Sequence, residues 1–288
     1  MYAAEFGYQR AGSVVHALAA LADGAGEVKV LAGGQSLLPM MKLRLAMPDL
    51  LVDIGGLAEL ATIEVSPQRT VLGAVATYRS LERDPLAGKA FPAMADALAV
   101  LADPQVRARG TVGGAVAHAD PAADLPAVLL ALDAELTVAR RSATRTVPID
   151  QFLRGVFATD LAEDEVLTRI TVPAAGPGQA YQKFEQPASH LPLAGVCAAV
   201  EVTEGVISSA RIAVTGVAGR PFRARRAERA LAGAPPDPDA LRSAAALVRE
   251  EPVQPLQDQH AGGQFRLHLA GVLAGRALAR AVARAVRP

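Results

Sequence analysis

From Ala134 to Val217 the chain offers five strand-like runs, AELTVAR, EVLTRITV, AYQKFE, GVCAAVEVTE and VISSARIAVTGV, with the Glu204-Gly205 pair reading as the turn of a hairpin between the last two. Beyond Val217 the apolar residues recur at helical spacing in PFRARRAERALAG, in DPDALRSAAALVRE and in a long terminal run from about Gln264. The proline-rich stretches GAPPDPD and EPVQPLQDQ separate these helices. Strands and helices in separate blocks predict an α+β fold rather than a regular βαβ alternation.

The N-terminal part is different in texture. Ser13 caps a helix, VVHALAALADG, that Gly24 ends, and the strand EVKVLA follows. SLLPMMKLRL is helical or turn-like around Pro39, and DLLVDIGG is a second, buried strand, so residues 1–57 read as a small α/β unit. Short strands, ATIEV and TVLGAVAT, then a helix, FPAMADALAVLA, lead to the stretch RGTVGGAVAHADPAADLP and on to a Gly/Pro boundary near 174–178.

Two glycine pairs carry the chemical signal. Gly33 and Gly34 end the first strand with Ser36 close behind, and Gly113 and Gly114 follow a turn with Thr111 beside them. Glycine lets backbone N–H groups approach a ligand and adopt positive φ, so such a loop can cradle an anion, with a hydroxyl as a further donor. Taken alone, a glycine pair after a strand is more often a plain turn, and the absence of Gly-x-Gly-x-x-Gly gives no support to a Rossmann site. A diphosphate has more acceptor oxygens than one short loop satisfies, so two glycine loops from separate units suit a dinucleotide held between them.

Composition narrows the field. With 51% hydrophobic residues and 29 basic against 29 acidic side chains, the 288-residue chain has no disorder signature and no basic field for nucleic acid. A single cysteine, Cys197, excludes an intrachain disulfide framework and any all-cysteine iron–sulfur or zinc site built by this chain alone. Met1 to Arg10 does not read as a secretory signal, which points to a cytoplasmic location. Gly271 and Gly275 form a Gly-x-x-x-Gly pair, but Arg276, Arg280 and Arg284 interrupt any membrane span.

The stretches AGGQSLLPMMKLRLAMPDLLVDIGGL, GAVATYRSLE, GTVGGAVAHADPAADLPAVLLALDAEL, EVLTRI, KFEQPAS and FRLHLAGVLAGRALARA, in this order over nearly the whole chain, resemble the FAD-binding medium subunit of molybdenum hydroxylases, of the carbon monoxide dehydrogenase medium-chain and xanthine dehydrogenase FAD-subunit type. The resemblance implies an α+β fold with a two-subdomain FAD-binding region of the vanillyl-alcohol-oxidase-like (PCMH) type, residues 1–57 and 58–175. A C-terminal domain, 176–288, with a small antiparallel sheet and a helical bundle would follow. It implies an FAD-dependent oxidoreductase subunit with non-covalent FAD, passing electrons from 2Fe-2S clusters on a small partner subunit to an external acceptor. Molybdopterin would sit on a large partner subunit, the whole forming a dimer of heterotrimers.

By the same resemblance, Ala32, Gly33, Gly34, Gln35 and Ser36, with Thr111, Gly113 and Gly114, would bind the FAD pyrophosphate through amides and hydroxyls. Leu37, Thr77, Leu101, Asp124, Leu167 and Lys183 would line the rest of the flavin pocket, Asp124 accepting from cofactor hydroxyls, Leu167 packing on the ring system and Lys183 favouring negative charge on the reduced flavin. His118 and Asp120 would shape the loop beside the cofactor, being too close in sequence and too few for a metal site. Neither a catalytic acid or base nor a metal ligand is assigned.

Read without the resemblance, several of these residues have plainer roles. Asp124 before Leu125-Pro126 is equally a helix cap, Lys183 a solvated edge lysine, and Leu101 and Leu167 core residues. Cys197 reads as a small core residue, and Arg276, Arg280 and Arg284 as a solvated helix face, with a partner-docking face as the sharper alternative. Phe265, where the family pattern has tyrosine, and Pro192, where it has an ordinary apolar residue, leave room for a stand-alone FAD-dependent oxidoreductase acting directly on a small molecule.

Overall fold

A computed structural model describes residues 2–287. The first unit is a three-stranded parallel sheet ordered β1-β3-β2, from β1 (Gly7–Arg10), β2 (Val28–Leu31) and β3 (Leu50–Asp53). Helix α1 (Val14–Asp23) joins β1 to β2, with the Ser13 hydroxyl accepting from the His16 N–H at its start and Gly24 at its end, as the sequence predicts. Helix α2 (Leu37–Lys42) follows the first glycine pair. Strand β1 is not foreseen: GYQR has no apolar face to mark it, because it pairs only along one edge of β3.

The second unit is built on a five-stranded antiparallel sheet ordered β4-β5-β10-β6-β7. Its chain order is β4 (Ile63–Val65), β5 (Arg69–Gly73), the helices α3 (Tyr78–Arg83), α4 (Pro85–Ala90), α5 (Pro92–Val100), α6 (Pro104–Arg109), α7 (Val112–His118) and α8 (Asp124–Ala131), then β6 (Glu135–Arg140) and β7 (Ala143–Pro148). A short helix α9 (Ile149–Phe152), a small hairpin of β8 (Leu153–Gly155) and β9 (Ala158–Thr159), and β10 (Val166–Pro173) complete it. Each of α4, α5 and α6 opens on proline, and Asp84 and Asp103 cap α4 and α6 by accepting two backbone N–H bonds each.

The last part holds an antiparallel sheet, β11 (Gln179–Glu185), β12 (Pro192–Thr203), β13 (Val206–Thr215) and β14 (Phe222–Arg223), then α10 (Arg225–Leu231), α11 (Pro238–Val248) and α12 (Gly263–Ala285). The β12–β13 hairpin turns on Glu204 and Gly205, both with positive φ, as expected. Phe222 and Arg223, expected in a helix, instead pair with β13.

Strand β12 is buried from Pro192 to Val200 because both faces of its sheet are covered. Val196, Ala198 and Val200 point into the core shared with α10, α11 and α12, while Cys197 and Ala199 belong to the core of the second unit under α5 and α8. Cys197 is thus a small core residue; burial pushes its thiol pKa up. In α12, an added Cβ on Gly271 would meet the Arg249 side chain at 2.7 Å, so this glycine serves packing against α11.

The arginine stripe of α12 is solvated only in part. Arg276 and Arg280 are exposed and Arg284 is partly buried, yet Arg280 and Arg284 both reach Asp96 on α5, at 2.9 and 2.8 Å, with Asp96 also accepting from the Tyr181 N–H. Helical spacing told which arginines share a face but not that an acid from a distant segment stands opposite. Asp96→Ala is expected to lower the unfolding free energy by about 1–3 kcal/mol, read from the urea midpoint. A change inside about 0.5 kcal/mol would make the pair an ordinary surface ion pair.

Candidate functional site

The two glycine loops meet. An added Cβ on Gly33 would lie 2.9 Å from the Arg109 carbonyl carbon and 3.0 Å from the Gly110 Cα, so only glycine lets the β2–α2 turn rest on the backbone that leads into α7. Gly34 takes φ +73°, the left-handed region that glycine favours. Among the described residues, no amide from Gly33 to Ser36 donates to a protein acceptor, and the Ser36 hydroxyl makes no capping bond to α2. Four successive free N–H groups in a glycine turn form an anion-binding concavity.

The second loop works differently. Gly113 donates its N–H to the Ala74 carbonyl at 3.0 Å, and Gly114 donates to the Thr111 hydroxyl at 3.0 Å, which caps α7. Both amides are therefore used inside the protein, and the glycines chiefly permit close approach: a Cβ on Gly113 would stand 2.6 Å from Ala74. The free donor of this loop is the Thr111 amide.

Between the loops runs a cavity of ≈ 820 Å³, within the range of cofactor sites. Its walls include Ala32, Gly33, Gly34, Gln35, Ser36, Leu37, Thr111, Gly113, Gly114, His118 and Leu167 of the residues singled out in the sequence. Its lining also includes Gly24, Glu27, Lys29, Phe157 and Thr159. The segment carrying Phe157 and Thr159 is fixed by Arg145, which bonds both Glu165 oxygens at 2.7 and 2.6 Å and Asp160 at 2.7 Å; the Arg145 bonds hold the Glu165 carboxyl below its ordinary pKa, and bonds from Arg154 and then Arg145 do the same for Asp160. Phe157, Lys29 and Tyr78 are wall residues that sequence reasoning missed. Nothing in GVFAT marks Phe157 as a cavity residue, because the hairpin that presents it is only two short strands.

Five of the singled-out residues, Thr77, Leu101, Asp120, Asp124 and Lys183, are not part of this lining. Thr77 caps α3 through its hydroxyl and bridges to Thr111, so it braces the second loop. Leu101 is core, and the Asp120 carboxylate accepts from the Ala122 N–H at 2.8 Å, shaping the turn before α8. That turn is also held from β13, whose Thr215 hydroxyl donates to the Pro121 carbonyl at 2.9 Å.

Asp124 and Lys183 form a buried pair between the second unit and the C-terminal sheet. Asp124 accepts from the Tyr181 hydroxyl at 2.7 Å and from Lys183 at 3.2 Å. Lys183 is 2% exposed and donates also to the carbonyls of Val100 and His190, each at 2.8 Å, so it is no solvated edge lysine. Burial pushes the Asp124 carboxyl up to about 6, against the opposing pull of the Lys183 ammonium and the Tyr181 hydroxyl. Burial also lowers the pKa of His118 on the cavity wall, opposed by Asp120. A second clamp lies near Pro192 at the start of β12: buried Arg266 at the head of α12 donates to the carbonyls of Leu193 and Gly216 at 2.9 and 2.7 Å and pairs with Asp258 at 2.7 Å.

A cleft of free amides between an α/β unit and a mostly antiparallel one, backed by the C-terminal sheet, has the form of a site for a phosphate-bearing ligand such as a dinucleotide. Residues 4–175 match the family described as the FAD binding domain in molybdopterin dehydrogenase, and residues 179–281 the CO dehydrogenase flavoprotein C-terminal domain. The chain belongs to this family of FAD-domain oxidoreductases. It is 36% identical to the carbon monoxide dehydrogenase medium chain of Hydrogenophaga pseudoflava, covering 97% of this chain and 98% of that one. It is also 36% identical to the 6-hydroxypseudooxynicotine dehydrogenase complex subunit alpha of Paenarthrobacter nicotinovorans, over 97% of this chain and 95% of that one. Among solved structures, a chain of carbon monoxide dehydrogenase from Hydrogenophaga pseudoflava superposes with a TM-score of 0.94 at 38% identity, covering 99% of both chains. Quinoline 2-oxidoreductase from Pseudomonas putida 86 gives 0.94 at 32% identity, covering 100% of both. No described helix is long and apolar enough to cross a membrane.

Proposed function

We propose that this chain is the FAD-carrying electron-transfer subunit of a multi-subunit molybdenum-dependent hydroxylase in the cytoplasm. Its partners are a large subunit with molybdopterin and a small subunit with 2Fe-2S clusters, assembled as a dimer of heterotrimers. The observation that carries the reading is the run of free amides from Gly33 to Ser36 facing a long cavity, with the Thr111 amide across the Gly33–Arg109 junction. This donor set fits a diphosphate, and the cavity on either side of it has room for the arms of a dinucleotide.

When bound, FAD supplies the redox chemistry, taking electrons from a partner and passing them to an external acceptor. The residues of this chain hold and orient it. The amides of Gly33–Ser36 and the Ser36 hydroxyl bind the diphosphate, Leu37 and Leu167 offer apolar wall, and the buried Asp124–Lys183 pair sets the field where the domains join. The lone, buried Cys197 supplies no thiolate for a cluster, so the iron–sulfur step falls to a partner.

The test is the flavin, molybdenum and iron content of a tagged copy purified gently from its own host. The expected result is flavin together with molybdenum, iron and two further chains. Flavin on a single polypeptide would replace this reading with a stand-alone flavoenzyme, and a preparation without flavin would end both.

A further inference from the structure

The diphosphate cradle leaves unexplained a pair of aromatic rings on the cavity wall. The β8–β9 hairpin turns on Val156 and Phe157, and Phe157 takes a left-handed backbone, φ +51°. A bulky residue is out of place there, since positive φ in a tight turn favours glycine or asparagine. Its N–H donates at 3.1 Å to the carbonyl of Ala119, another left-handed residue, which closes the hairpin onto the end of α7. The Phe157 ring then sits 4.9 Å from the His118 imidazole, with 40° between the planes. Phe157 remains 57% exposed while lining the cavity. An aromatic held in strained backbone, backed by a second ring and open on its other face, has the form of a stacking surface for a planar group.

FAD offers two planar groups, and the surroundings separate them. Helix α7 leads from Thr111 beside the cradle to His118, about 10 Å at the usual helical rise, which suits the reach of the ribityl arm. The cavity wall away from α7 includes Glu27 and Lys29 of the β2 strand region, which pair with each other at 3.1 Å. The half-exposed Glu27 carboxylate suits the hydroxyls and exocyclic amine of adenosine and opposes the negative charge that a reduced flavin takes on. We propose that Phe157, backed by His118, stacks on the isoalloxazine ring of FAD and positions it at the open edge of the cavity. The inference rests on the FAD reading given above.

Phe157→Gly removes the ring and relieves the left-handed backbone, so a folding defect does not mask the result. FMN, FAD and ADP are titrated separately onto the deflavinated protein, taken in whatever assembly it purifies with. The glycine variant is expected to bind FMN and FAD alike about tenfold more weakly with ADP unchanged. Phe157→Tyr should restore tight binding, and Phe157→Trp should quench the bound flavin's emission. Weaker FAD and ADP with unchanged FMN would put adenine on Phe157 and overturn the proposal, as would equal FMN affinity in the unchanged and glycine proteins. If the unchanged protein takes up neither FMN nor FAD, the FAD reading itself fails and this inference with it.

Discussion

Gly33→Ala strips the protein of its flavin and leaves the fold in place: that is the largest effect the structure leads us to expect. The new methyl would stand 2.9 Å from the Arg109 carbonyl carbon and 3.0 Å from the Gly110 Cα, and both obstacles are backbone, which cannot swing aside as a side chain does. Overpacking of this kind costs about 1–3 kcal/mol, and here it is spent in separating the two loops that present the free amides. Flavin retention should fall by about 10- to 100-fold, measured as the flavin-to-protein absorbance ratio after gel filtration, with far-UV circular dichroism unchanged. Gly88→Ala is the matched control, since nothing stands within 4 Å of an added Cβ there. Undiminished flavin in Gly33→Ala would show that closure of the loops does not govern binding.

Asp124→Ala is expected to be the most destabilising single change at the domain junction, by about 3–5 kcal/mol, because it leaves the Lys183 ammonium, 2% exposed, with only the more distant and more solvated Glu185 carboxylate at 3.7 Å as counter-charge. Removing both charges in Asp124→Ala with Lys183→Met should cost less than Asp124→Ala alone. A double change that costs the sum of the singles would deny the coupling. The same carboxyl predicts a pH signature. Its pKa in the fold, about 6, lies above the ordinary carboxylate value. The group therefore contributes most to stability below that ordinary value, and the contribution is lost as pH rises through about 6. Urea midpoints measured across this window should show that downward component in the unchanged protein and lack it in Asp124→Asn.

The parts of the fold that sequence reading reached are those whose signal is local. Ser13 and Gly24 bracket α1, the two-residue turn at Glu204 and Gly205 joins β12 to β13, and the apolar run of β12 reads as a strand. Strand β1 escaped because GYQR is an edge with no buried side, and Phe222–Arg223 because a two-residue strand has no period. At the site, the loops were legible through their glycines, but the division of labour between them was not. Free amides in the first and internally bonded ones in the second follow from where Ala74 and Thr111 stand, which only the assembled sheet decides. Likewise, Lys183 reads as a strand-edge cation until α8 and the β11–β12 connection bring Asp124 and the His190 carbonyl to it.

The contact of Gly33 with Arg109 and Gly110 joins segments some 76 residues apart in sequence, and this gives the cofactor a thermodynamic part beyond its redox one. A ligand gripping both loops binds only the chain in which the first unit is docked on the second, so every gain in occupancy is a gain in folding free energy. At a hundredfold excess over its dissociation constant that linkage is about 2.7 kcal/mol, comparable to a buried ion pair's share of the whole. In such a protein the melting temperature is a report on flavin supply, and the unit most eager to fray when flavin is scarce is the one that begins the chain.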